Sequence, residues 1–191
     1  MQKRKIILAS RSPRRKKILE QVGLEFEIVD SNFDEDSVSL ADPIELAKFL
    51  ALKKAEAVAV NYDDAIIIGA DSVVIFKGAA LGKPRDAADA KRILSELSGK
   101  ENKVITGLAI IDSKNKTVVN SHGEAVVKFR NLSAEEINEY VATGEPLDMA
   151  GACGLMERGA VLAERVRGDF YSIVGLPLAK LYVELRKMGA I

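Results

Sequence analysis

The chain has no tryptophan, one cysteine and one histidine in 191 residues. The lone Cys153 excludes an internal disulfide and any zinc site built on cysteines. It fits a reducing compartment. A Ser-His-Asp triad or a histidine-based metal site would have to use His122, which falls at a predicted strand turn far along the chain from the other polar anomalies. An excess of one charge is also missing: 28 basic residues face 28 acidic ones. That disfavours a protein that coats nucleic acid by bulk charge. An aromatic content of 5% leaves few platforms for stacking bases, so an RNA-binding module is disfavoured too. No apolar run approaches the ~18 residues of a membrane span. Met1-Gln2-Lys3-Arg4-Lys5 opens like a signal peptide, but only Ile6-Ile7-Leu8-Ala9 follow before charges return, too few for its apolar region. A cytoplasmic protein is expected. Repeats, low-complexity stretches and Pro/Gly/Ser linkers are lacking as well, so a single domain over 1–191 is expected.

What is present reads as alternating strands and helices. Ile6–Ala9 is a short buried strand, and Ser12 caps a helix with Pro13 at its first position and Gly23 as its stop. Phe26–Asp30 is a strand, and 31–41 is an acidic loop. Asp42-Pro43-Ile44-Glu45 opens a long helix to about Val60. Ala65–Phe76 is an apolar strand that turns at Lys77-Gly78 into a short return strand, Ala80–Lys83. Asp86 caps a helix ended by Gly99. Val104–Ile111 and Thr117–Arg130 are strands. Ser133-Ala134-Glu135-Glu136 is a capping box, with Gly144 as the stop. Gly151–Val166 reads as strand-rich, and Pro177 starts the last helix. The interleaving predicts an α/β class with a mixed central sheet and flanking helices. Neither G-x-G-x-x-G nor G-x-x-x-x-G-K-[ST] is present.

Several polar residues stand where apolar ones belong. Arg14 and Arg15 lie in the first turn of a helix, although the helix dipole there favours anions. At ~100° per residue, Arg15 falls on the centre of the face made by Ile18, Leu19 and Val22, with Arg14 at its edge. A bound polyphosphate would resolve the conflict, because backbone N–H groups, guanidinium forks and the hydroxyls of Ser10 and Ser12 all bind anions. The plain alternative is a solvated basic helix start. Lys54 lies inside the apolar stripe Ala47, Leu50, Ala51, Ala55 and Val58; it either snorkels outward or meets a phosphate. Asp71 interrupts a buried strand, which is costly for a carboxylate unless it is paired or bound to a metal. It is a candidate base or metal ligand. In Leu81-Gly82-Lys83-Pro84, glycine permits close backbone approach and proline stiffens the turn behind Lys83. The run Asp34-Glu35-Asp36 is either a solvated surface or a supply of carboxylates for magnesium.

Taken in order, Ile7-Leu8-Ala9-Ser10-Arg11-Ser12-Pro13-Arg14-Arg15, Gly69-Ala70-Asp71 and Gly82-Lys83-Pro84 resemble the Maf family of nucleotide pyrophosphatases. Leu97-Ser98-Gly99, Thr106-Gly107, Glu145-Pro146-Leu147-Asp148, Ala150-Gly151-Ala152 and Gly175-Leu176-Pro177-Leu178 extend the resemblance over nearly the whole chain. It implies two lobes around a deep cleft, a fold shared with inosine-triphosphate pyrophosphatases. It implies hydrolysis of a nucleoside triphosphate between the α- and β-phosphates, a divalent metal cation (magnesium, manganese or cobalt) and often a homodimer. By position, it implies phosphate binding by Ser10, Arg14, Arg15, Lys54 and Lys83. Asp71 matches the proton acceptor, and Glu35 with Asp71 is expected to position the metal. Arg14, Ser72 and Met156 match three positions linked to substrate choice. Arg14 fits the branch that prefers dTTP and UTP; Ser72 replaces that branch's threonine, and Met156 replaces its glutamine. The preferred base therefore stays open. Two alternatives are an inosine- or xanthosine-triphosphate hydrolase, whose opening Thr/Ser-x-Asn motif is absent, and a nucleotide-binding regulator of cell division with little turnover.

Overall fold

The first strand, β1 (Ile6–Leu8), is fully buried and pairs in parallel with β2 (Glu27–Ile28) on one side and β3 (Ile66–Phe76) on the other. The computed structural model describes every residue except Met1, Lys3, Asp36 and Ser39. Beyond β3 come β4 (Ala79–Leu81), β5 (Glu101–Asp112), β6 (Thr117–Phe129) and β7 (Ala163–Gly168). The sheet order is β2-β1-β3-β5-β6-β7, with β4 paired to β3. The β3–β4 and β6–β7 pairs are antiparallel, so the sheet is mixed, as the element order predicts.

The chain divides into two compact units, Met1–Ser72 with Thr106–Gly123 and Gly175–Ile191, and Val73–Ile105 with Glu124–Val174. Three of the four divisions fall inside β3, β5 and β6, and the fourth at Val174–Gly175, which is why no linker composition marks them.

In the first unit, α1 (Pro13–Gln21) starts where Ser12 Oγ accepts from the Arg15 amide, and it buries Arg15, Ile18 and Leu19. The helix α2 (Pro43–Ala59) is capped by the Asp42 carboxylate, which accepts from the Ile44 and Glu45 amides. Its buried stripe is Ala47, Leu50, Ala51, Lys54, Ala55 and Val58. The alanines let α2 lie almost on the sheet. A β-carbon at Gly69 would stand 2.2 Å from the Ala51 carbonyl oxygen, and one at Gly107 2.1 Å from that of Ala47. Only glycine fits at either place. Ala51, Ala55, Val58, Ile7, Ile67 and Ala109 make one apolar cluster here. The last helix, α6 (Leu178–Lys187), buries Leu178, Leu181 and Leu185.

The second unit packs α3 (Ala87–Leu97) and α4 (Ala134–Ala142) around Phe76, Leu94, Leu97 and Phe129. The capping box at α4 forms in full: Ser133 Oγ accepts from the Glu136 amide, and Glu136 accepts from the Ser133 amide. A short helix, α5 (Phe170–Val174), follows β7. The strand-rich reading of 151–166 is corrected. Three short 3₁₀ turns, Glu145–Asp148, Ala150–Ala152 and Arg158–Leu162, fill most of that stretch and its approach, and only Ala163–Gly168 is strand. Positive φ at Gly144 (77°), Gly151 (69°) and Ala152 (56°) breaks any extended run. Ala152 and Leu162 still reach the core without a ladder.

Candidate functional site

In the first unit, α1, α2, β3 and the acidic loop that carries Glu35 each contribute a charged side chain to one cluster. From α1, Arg15 turns inward and is 9% exposed. It donates from Nε to the Gly175 carbonyl at 2.8 Å and from Nη1 to Ser10 Oγ at 2.9 Å. These bonds fix the plane of the guanidinium. Ser10 Oγ also accepts from the Ser12 amide at 3.2 Å. With both acceptor positions taken, its O–H is left to donate. Burial pulls the Arg15 guanidinium down from its ordinary value, and the charges of Asp71 and Glu35 oppose that shift. Arg14, half-buried beside it, adds like-charge repulsion.

Lys54 does not snorkel. It is 5% exposed, and its Nζ meets Asp71 Oδ1 at 2.6 Å and Glu35 Oε1 at 2.7 Å. The close seat of α2 on Gly69 brings it there. Lys54 thus joins two carboxylates, where the sequence left open a phosphate partner. Asp71 is 7% exposed. Burial raises its carboxyl above the ordinary value of 3.8, against the lowering effects of Lys54 and Arg15; Glu35 raises it further. A carboxyl so shifted accepts a proton more readily than a solvated one. Glu35 itself is about half exposed. Asp36, the last of the acidic run, lies outside the described residues. Ser72 Oγ shares a hydrogen bond with Thr106 Oγ1 at 2.7 Å.

Asp71 and Glu35 offer oxygens to one cation, the hard donors that magnesium takes. Among the described residues, no group of three His, Cys, Asp or Glu side chains could hold a metal. Two carboxylates completed by phosphate oxygens and water are a normal magnesium set, so the residues fit such an ion held jointly with a substrate.

In the second unit, Lys83 is exposed and bonds Asp148 at 2.6 Å. Met156 is exposed on a turn after the second 3₁₀ segment. His122 lies within β6, where its backbone carbonyl accepts from Lys180. The partners Gly175, Thr106 and Asp148 belong to the motifs of the resemblance but carry no role from the sequence. Each contact joins residues 34 to 160 positions apart and leaves no local pattern.

A mixed α/β sheet that carries a buried guanidinium beside a Lys-carboxylate cluster defines a class of protein equipped for phosphate chemistry. Residues 5–188 match the family model for Maf-like protein, and the chain belongs to that family. It is 46% identical over 188 residues to the dTTP/UTP pyrophosphatase of Dictyoglomus turgidum, covering 98% of this chain and 97% of that one. Against the dTTP/UTP pyrophosphatase of Symbiobacterium thermophilum the identity is 46% over 184 residues, 96% of this chain and 94% of the relative. Against that of Bacillus cereus it is 47% over 186 residues, 97% and 96%. A solved HAM1 protein from Coxiella burnetii shares the fold, with a TM-score of 0.52 at 16% identity, covering 97% of this chain and all of that one. No helix among the described residues is long and apolar enough to cross a membrane.

Proposed function

We propose that this chain hydrolyses nucleoside triphosphates between the α- and β-phosphorus atoms, releasing the nucleoside monophosphate and pyrophosphate. The observation that carries the reading is the buried Asp71 with its raised proton affinity, held by Lys54 among cationic side chains. Asp71 takes a proton from the attacking water. The water oxygen bonds to the α-phosphorus, and the bridging bond breaks with its electron pair on pyrophosphate. Ser10, Arg14 and Arg15 hold phosphate oxygens and stabilise the charge that develops on the leaving group. Lys83 has the same role by its family position. Lys54 keeps Asp71 ionised and oriented until substrate arrives. Glu35 and Asp71 would hold a divalent cation, which supplies charge neutralisation at the phosphates.

dTTP and UTP are the leading candidate substrates, because the relatives that carry those names match over nearly the full chain. Base preference is assigned to Arg14, Ser72 and Met156, the last two standing where the family's dTTP/UTP branch is expected to carry threonine and glutamine. One domain, a cytoplasmic site of action on the nucleotide pool and a homodimer complete the reading; sedimentation measures the last. Hydrolysis of dTTP in ¹⁸O-water tests the reaction: the label is expected in the monophosphate. Label in the pyrophosphate would contradict attack at the α-phosphorus. A chain that binds dTTP and releases no pyrophosphate would instead be the regulator with little turnover.

A further inference from the structure

Two carboxylates of the first unit, Asp71 and Glu35, are balanced by two cations, Lys54 and Arg15. The two cations are held in different ways. The Arg15 guanidinium is pinned by neutral groups, the Gly175 carbonyl and Ser10 Oγ. Among the described residues, the Lys54 ammonium has only the carboxylates as polar partners, through Asp71 Oδ1 and Glu35 Oε1. It ends a flexible four-carbon stem, so it can change partners while α2 stays in place. Arg15 is thus the fixed counter-charge of the cluster, and Lys54 is the exchangeable one.

Nζ stands where the two carboxylates converge, 2.6 Å from one oxygen and 2.7 Å from the other. These are oxygens that an ion shared by Asp71 and Glu35 would take. A dication set against them beside the ammonium would meet it at contact distance, where like charges repel strongly. The balance of charge acts in the same direction. Lys54 and Arg15 already offset both carboxylates, so a divalent cation entering by itself would leave this buried cluster with a positive excess, which burial penalises. A triphosphate reverses the penalty. Its oxygens give the ammonium a charge-assisted partner and supply the missing negative charge. The phosphate partner that the sequence left open for Lys54 is then the second place of the same ammonium.

We propose that Lys54 holds the place of the divalent cation in the substrate-free protein, yielding Asp71 Oδ1 and Glu35 Oε1 only when triphosphate oxygens arrive to take its ammonium. Metal and triphosphate then bind together rather than in turn. The inference rests on the reading of Asp71 and Glu35 as metal ligands. It is tested on the full chain without nucleotide, by titrating Mn²⁺ and following the free ion by electron paramagnetic resonance. Alkaline buffer keeps both carboxylates ionised. Lys54→Met is expected to bind Mn²⁺ at least about tenfold more tightly than wild type, the lower end of what one charge within ~4–6 Å does to the binding of another. Lys53→Met removes the same charge one residue away, where Lys53 pairs with Glu56 and is screened by solvent, and stays within about twofold of wild type. Adding Asp71→Asn to Lys54→Met reverses the tightening. In the wild type, the ¹⁵N signal of the Lys54 ammonium is expected to hold still in Mg²⁺ alone and to move when α,β-methylene-dTTP joins it; this readout serves if Lys54→Met fails to fold. An unchanged affinity in folded Lys54→Met overturns the proposal, as does equal tightening in Lys53→Met or a Lys54 signal unmoved by metal and analogue together. Release of pyrophosphate from dTTP beside any of these three results would leave the pyrophosphatase reading standing. The expected tightening in a protein that releases none would sink that reading and leave the exchange at Lys54 standing.

Discussion

Asp71 has two opposed demands. It must be ionised to accept a proton, yet it lies in a medium that favours its neutral form. The ascending limb of kcat/KM against pH should therefore lie above 3.8, the ordinary aspartate value, because burial raises the folded carboxyl. Lys54→Met removes a charge that lowers it, so the limb should move to still higher pH. A pH–rate profile of the two proteins checks both the position and the direction. Arg15 makes a different demand. Its Nε and Nη1 bonds to Gly175 and Ser10 need a planar fork that lysine lacks. Arg15→Lys keeps the charge and is expected to raise KM for dTTP by about tenfold, a charge-assisted bond's worth.

At the scale of elements, the site depends on how closely α2 lies on the sheet. In Gly69→Ala, the new β-carbon would stand 2.2 Å from a backbone oxygen, which cannot rotate away. The expected cost is about 3 kcal/mol, with Tm falling by roughly 6–12 °C. Lys54 would be displaced from Asp71 at the same time, so activity should fall beyond what unfolding explains. Gly82→Ala, with nothing within 4 Å, should leave Tm within about 1 °C. Thermal melts of the two variants compare them directly. The helix starts at Ser12, Asp42 and Ser133 were legible because capping is local, a hydroxyl or carboxylate two or three residues from the amide it serves. Arg15, Lys54 and Asp71 were legible for a related reason: each breaks an apolar pattern of known period. The 3₁₀ turns between Glu145 and Leu162 were not legible, since small residues at positive φ carry no period. Nor was the hold of Gly175 on Arg15, 160 residues away.

For the whole molecule, the N-terminal strand of the first unit is anchored by a second charge cluster remote from the site. Arg4 bonds both oxygens of Asp112 at 3.0 Å and also meets Asp64 at 2.8 Å. Arg4 thereby holds the Asp112 carboxyl well below the usual carboxylate range. A depressed folded value contributes stability that is present above the unfolded value and is lost as pH falls through the folded one. Asp112→Asn should thus lower stability at neutral pH by about 2 kcal/mol, the worth of a bond to a charged partner. The gap between wild type and variant should close as pH falls well below 3.8. Urea unfolding at several pH values measures it. Asp71 works in the opposite sense: its raised value makes the native state lose stability as pH rises from 3.8 through the folded value. Asp71 thus trades stability for its place in the chemistry, which is why its removal separates turnover from folding. The decisive measurement is pyrophosphate release from dTTP by purified Asp71→Asn alongside wild type, with unfolding curves for both. The expected result is a folded protein whose kcat is lower by about 10²–10⁴-fold, the range for loss of a general base. A folded Asp71→Asn protein with wild-type turnover would contradict the role given to Asp71 and, with it, the mechanism.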